Sequence, residues 1–205
     1  MSLERRDGYK PNPLSERELV AMAKASPDGF RDAFGELYQR YLPRIYTYHY
    51  YRLRDPHVAE DATQETFERA MRGFGNFQYR NKESYSTWLF QIAHNYTANV
   101  YRSNSRRKTV SLTNGLSDDM ERTLTSPFGE PEVEIEKEDE RSKTVREAVL
   151  ALPDDQKNLI LLKFVGDLSN REIGHILGAT EGATKAKLFR IIRKLKKQFT
   201  QKQQV

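Results

Sequence analysis

From Lys185 to Lys202 the chain carries eight Lys or Arg residues and no acid, threaded by Leu188, Ile191, Ile192 and Leu195. Only a helix buries those four together, because a strand would turn the adjacent Ile191 and Ile192 to opposite faces. Just upstream, Ser169-Asn170-Arg171-Glu172 supplies a cap and a nearby acid, and Ile173, Ile176 and Leu177 supply a second apolar stripe. Gly178-Ala179-Thr180 then turns the chain. Two helices joined by a short glycine-containing turn read as a helix-turn-helix. The buried stripe leaves Lys185, Phe189 and Arg190 facing outward near the start of the second helix. There such a motif enters the major groove, and Arg and Lys donate to guanine O6 and N7. The plainer alternative is a solvated basic helix in a protein-binding unit.

The rest of the chain also reads as helical. Ser15 and Glu18 have capping-box spacing, so ordered structure is expected from about residue 15. Phe34, Leu37, Tyr38, Tyr41, Ile45 and Tyr48 mark a core-facing helix over 32–51, which Pro43 is expected to kink or restart. Asp55-Pro56 gives an N-cap and a proline at the first helical position, and Gly73 stops the helix that follows. Trp88, Leu89, Ile92, Ala93 and Tyr96 predict another helix beginning after Ser86 or Thr87. Past a break, Val145, Ala148, Val149 and Leu152 form an apolar face, and Pro153-Asp154 opens a helix carrying Leu159, Leu162 and Val165. No segment has convincing strand alternation. The expected fold is all-α: two small helical domains joined by a flexible acidic linker, the C-terminal one a helix-turn-helix. The boundaries are a tail over 1–14, a first domain over 15–108, a linker over 109–138, a second domain over 139–199 and a tail over 200–205.

Charge is segregated along this plan. The net charge is only +5, yet Ser117 to Glu140 holds ten acids against Arg122 and Lys137, so the two helical blocks are strongly basic. A basic body with an acidic strip between its halves is the footprint of a polyanion binder. With 37% hydrophobic residues, a large single-core enzyme is disfavoured. The absence of cysteine excludes disulfides and thiolate sites and agrees with a reducing compartment. The longest aliphatic run, Leu159 to Leu162, is far too short for membrane insertion, and Met1 to Asn12 is unlike a signal peptide. A cytoplasmic protein is expected.

Two further patterns carry chemistry. Eight aromatics fall between Phe74 and Tyr101, interleaved with Asn95, Asn99 and several cations and followed by Arg102. Aromatic faces, amides and cations together suit unpaired bases, with stacking worth ~1–3 kcal/mol per base. Trp88 and Tyr96 lie on the apolar stripe and read as packing residues, whereas Tyr79 and Tyr85 fall in a polar stretch and read as stacking residues. The second pattern is Asp61, Gln64, Glu65 and Glu68, one polar helical stripe opposite Ala59, Thr63, Phe67 and Ala70. It suits a basic protein partner; the alternatives are an ordinary solvated face or carboxylates holding magnesium. No His, Lys or glycine-rich phosphate loop accompanies these acids, and the four histidines share no metal-ligand spacing. The expectation is no enzyme, no catalytic residue, no metal and no cofactor.

In succession, the segments 33-AFGELY-38, 59-AEDATQETF-67, 86-STWLFQIAHN-95, Leu152-Pro153 and the terminal helix-turn-helix resemble the extracytoplasmic-function group of bacterial sigma factors. The resemblance implies a transcription initiation factor that binds core RNA polymerase and promoter DNA, with an anti-sigma factor as a further partner. It makes Asp61, Gln64 and Glu65 the polymerase-binding face. Tyr79, Ser84 and Tyr85, with Asn95, Asn99 and Arg102 on the following helix, become readers of the −10 element. Lys185, Phe189 and Arg190, flanked by Arg171 and Lys187, become readers of the −35 element. Rival readings are a free-standing helix-turn-helix regulator and a carboxylate-dependent nucleic-acid enzyme using Asp61 and Glu65.

Overall fold

The computed structural model describes residues 14–79, 84–111 and 140–202, with side chains placed for 14–79, 84–103 and 142–199. Every regular element among them is helical: α1 (Glu16–Ala25), α2 (Pro27–Leu53), α3 (Pro56–Gly73), a 3₁₀ turn (Phe74–Asn76), α4 (Tyr85–Ser111), α5 (Glu140–Leu150), α6 (Asp154–Phe164), α7 (Asn170–Leu177) and α8 (Glu181–Lys202). The expected linker over 109–138 falls almost wholly outside the described residues, beyond the last turn of α4. The chain forms two compact units that divide inside α2, between Tyr38 and Gln39.

In the first unit, α1 starts where expected. The Ser15 hydroxyl accepts from Glu18 N at 3.3 Å, and the Glu18 carboxylate accepts from Ser15 N at 2.8 Å. Leu19, Val20, Ala23, Ala33 and Leu37 are its buried side chains.

The second unit opens on the rest of α2, which runs unbroken through Pro43 rather than restarting there. Proline at 43 deprives the Gln39 carbonyl of its helical donor, but both residues are exposed and water can replace it. Asp55 caps α3 by accepting from Val58 N at 3.0 Å, with Pro56 in the first helical position. Tyr48, Ala59, Phe67, Phe74, Phe77, Leu89, Phe90 and Ala93 are buried on α2, the 3₁₀ turn, α3, α4 and the strand of chain after the turn. Helix α4 begins at Tyr85, earlier than the stripe from Trp88 suggests, because Ser84 accepts from Thr87 N at 3.2 Å and caps it.

Beyond the undescribed segment, α6, α7 and α8 bury Leu159, Leu162, Leu168, Ile173, Ile176, Leu188, Ile191 and Leu195. Ser169 and Glu172 close a second capping box on α7. Gly178 then turns the chain with φ of 66°, left-handed backbone that side chains disfavour. A Cβ there would meet nothing within 4 Å. Gly178→Ala should therefore cost only the conformational penalty, about 1–2 kcal/mol, read as a lowered urea midpoint with unchanged m. Gly174 is constrained differently: a Cβ would lie 2.6 Å from the Ala179 carbonyl oxygen, so only glycine lets α7 approach the turn this closely.

Candidate nucleic-acid interface

Helix α8 is set by its own first turn. Thr180 Oγ1 accepts from Ala183 N at 3.2 Å, and buried Thr184 donates to the Thr180 carbonyl at 3.0 Å. With Leu188, Ile191 and Leu195 turned inward, Lys185, Phe189 and Arg190 emerge on the open side, as the stripe predicted. Phe189 is 67% exposed, an apolar ring that earns nothing from the fold where it stands. Arg171 is exposed in the first turn of α7. Lys187 is half-buried, and its Nζ lies 2.7 Å from Asp155 Oδ2 in the first turn of α6. That hydrogen bond holds the Asp155 carboxyl below its usual range.

A second polar face runs along α4. Asn95, Asn99 and Arg102 are all exposed and recur at intervals of four and three, so two amides and a guanidinium line one stripe. Tyr79 is half-buried, its ring edge-on to Phe77 at 5.2 Å between centroids. Tyr85 is misplaced by the sequence reading. It is the first residue of α4 and is 0% exposed, with its ring within 6.0 Å of Tyr41, Phe74, Phe77 and Trp88. Stacking on a base would require it to leave the core, so Tyr85 is a packing residue. Ser84 is half-buried, and its hydroxyl donates to Glu172 Oε1 of α7 at 2.8 Å.

The acidic stripe of α3 is where periodicity puts it. Ala59, Thr63, Phe67 and Ala70 are buried; Asp61 and Gln64 are exposed; Glu65 is half-exposed. Arg69 Nε binds Glu65 Oε1 at 2.6 Å and Arg72 reaches the same oxygen at 3.4 Å, so this carboxyl is held below its usual range and stays charged. Gln64 donates to Glu68 Oε1 at 3.1 Å. Asp61 is thus the outermost charge of the stripe.

The sequence reading missed the polar groups that hold these faces in place. His49 is buried between α2, α3 and α4, with Nδ1 3.0 Å from Thr97 Oγ1 and Nε2 3.0 Å from Thr66 Oγ1. Burial, helped by the nearby Arg52, pushes its imidazole down to about 3, so it is neutral and carries one ring N–H, which donates to one of the two hydroxyls. Thr97 sits between Asn95 and Asn99, so this bridge fixes the rotation of the amide stripe. Its only sequence signal was a histidine on the apolar side of a helix.

The two regions bearing these faces match known families. Residues 37–107 match Sigma-70 region 2, and residues 142–195 match Sigma-70, region 4. The chain is 35% identical over 179 residues to the ECF RNA polymerase sigma factor BldN of Streptomyces coelicolor, covering 87% of this chain and 63% of that longer protein. It is 34% identical over 187 residues to the ECF RNA polymerase sigma factor SigW of Bacillus subtilis, covering 89% of this chain and 97% of SigW. The chain belongs to the ECF sigma factors. It is a promoter-recognising factor for transcription initiation by RNA polymerase. Among solved structures, the sigma factor shares its fold with CnrH, determined in complex with the cytosolic domain of CnrY, at a TM-score of 0.60 and 20% identity over 90% of this chain and 97% of that one. RpoE of Bartonella quintana, determined with the anti-sigma factor NepR, gives 0.59 and 20% identity over 82% and 96%. Within the sigma factor, the α3 and α4 faces lie in region 2 and the α8 face lies in region 4. Among its described residues no helix is long and apolar enough to cross a membrane.

Proposed function

We propose that the three faces divide the work of promoter recognition. Asp61, Gln64 and Glu65 dock on core RNA polymerase. Asn95, Asn99 and Arg102, with Ser84 at the head of α4 and Tyr79 after the 3₁₀ turn, hold unpaired −10 bases. Lys185, Phe189 and Arg190, flanked by Arg171 and Lys187, read the −35 duplex. An anti-sigma factor is the further partner, as for the RpoE relative named above. The factor works in the cytoplasm, and the polymerase supplies the catalysis.

One observation carries this reading: each matched region has an exposed face with the chemistry its step needs, amides and a guanidinium on α4, cations and an aromatic ring on α8. Flipping a base out of its stack costs on the order of a few kcal/mol, which amide hydrogen bonds and stacking can offset, so binding drives melting without nucleotide hydrolysis. Asn95→Ala combined with Asn99→Ala should impair open-complex formation, followed by permanganate reactivity, while leaving −35 duplex binding intact. Equal loss of both would remove α4 from base reading.

Lys187 and Arg190 separate phosphate contact from base readout. Lys187→Ala should lower the salt slope of −35 binding by about one unit and weaken all sequences alike. Arg190→Ala should relax preference at one base position, at a cost of ~1–3 kcal/mol. Because Lys187 must exchange Asp155 for DNA, Asp155→Asn should strengthen binding; weaker binding by that variant would place the lysine outside the contact.

A further inference from the structure

We propose that Arg69 and Arg72 of α3 form a phosphate grip beside the α4 amide stripe, holding the backbone of the parted strand whose bases that stripe reads. Both guanidiniums are exposed and both lean on one carboxylate oxygen: Arg69 Nε lies 2.6 Å and Arg72 Nη2 3.4 Å from Glu65 Oε1. Each guanidinium carries five N–H donors, so most of their capacity is left over. Two positive charges share one negative charge, and the next carboxylate along, Glu68, accepts from Gln64. The patch is therefore net positive although it sits on the acidic helix.

Two contacts bring this patch to the edge of the amide stripe. The Arg69 guanidinium lies 5.1 Å from the centre of the Tyr96 ring on α4, and Tyr96 stands between Asn95 and Asn99. That ring is held in turn edge-on to buried His49, with 6.3 Å between centroids. At the other end, Gly73 follows Arg72, and a Cβ on it would lie 3.2 Å from the Trp88 ring. The last turn of α3 is thus pressed against the first turns of α4, and the two cations flank the stripe along its length.

Proteins that hold single strands pair surfaces for the bases with a cationic track for the backbone. Guanidinium forks match phosphate oxygens in pairs. Exposed ion pairs contribute little, so phosphate can replace Glu65 at small cost, most readily for Arg72, which is the more exposed and the more loosely held. A cation in the last turn of a helix also suits its dipole, but that accounts for Arg72 and not for Arg69 one turn earlier. The identity of the strand rests on the −10 role proposed above for α4.

A fork-junction fragment cut from a promoter that the holoenzyme transcribes tests this: duplex through the −35 element, single-stranded over the −10 element, beside the same duplex without its overhang. Fluorescence anisotropy with excess core enzyme across a KCl series gives the salt slope for each. Arg72→Ala should lower the slope on the fork by about 0.7, and Arg69→Ala with Arg72→Ala by about 1.4, one single-stranded phosphate contact for each arginine. Arg72→Lys should retain the slope because it retains the charge, and the blunt duplex should give the parent's slope throughout. A parental slope on the fork from the double arginine variant, an equal drop on the blunt duplex, or a loss confined to core-enzyme affinity would overturn the grip. The Asn95/Asn99 double variant separates the two readings. If it binds the fork like the parent while the arginine variants weaken, base reading by α4 fails and the phosphate grip stands.

Discussion

His49→Ala is expected to lower the unfolding free energy by about 3 kcal/mol, measured by urea titration, with open-complex formation falling in step at 37 °C. The side chain fills space between α2, α3 and α4 and bridges Thr66 to Thr97, so truncation leaves a cavity as well as two lost contacts. Both threonine hydroxyls also donate to the carbonyls of Ala62 and Ala93, so neither is orphaned and the loss stays finite. The parent protein should show the same group through pH. Burial depresses His49 to about 3, and His94, also desolvated and near Arg52, is depressed too. Below pH ~6.5 the unfolded chain binds protons that the folded chain refuses, so stability is complete above that value and falls as pH drops towards 3. Each fully refused proton steepens the slope by ~1.4 kcal/mol per pH unit. His49→Ala should be visibly less acid-sensitive than the parent; an equal slope in both would place the buried proton refusal elsewhere.

Asp61→Arg should weaken core-polymerase binding by roughly 10–100-fold while changing stability by no more than ~0.5 kcal/mol. Asp61 is exposed on α3, opposite the buried Ala59, Thr63, Phe67 and Ala70, so reversal of its charge touches no packing. Glu65 would be a poorer choice, because Arg69 and Arg72 already share its carboxylate and its replacement frees two cations at once. Fluorescence anisotropy of labelled sigma factor against core enzyme gives the affinity directly. Binding as tight as the parent's would move the docking face off α3.

Much of this was legible in the residue order because it is local. Ser15 with Glu18, Asp55 with Pro56, Ser169 with Glu172 and Gly178 each fix a helix end through groups three or four residues apart, and each stands where expected. The α8 face was legible for the same reason: four apolar residues at helical spacing leave only one direction for Phe189. The larger misreadings are long-range. Tyr85 looked like a loop residue because its neighbours are polar, but its aromatic partners Tyr41, Phe74 and Phe77 arrive from two other segments. Pro43 looked like the point of a kink or restart, and α2 does not restart there because the carbonyl it deprives of a donor is open to water. Glu172 looked like a cap and nothing more, since its bonds to Ser84 and Thr87 cross more than eighty positions of sequence. His49 and Asn158 were invisible for that reason too.

The central claim is that this chain gives a polymerase its start sites by reading duplex with α8 and parted strands with α4. Run-off transcription with purified core enzyme, this sigma factor and a library of randomised promoters tests it most directly. The account predicts that sequencing the transcripts recovers two spaced motifs, with Arg190→Ala blurring the upstream one and the Asn95/Asn99 double variant blurring the downstream one. A single motif, or transcripts that start without regard to sequence, would contradict it.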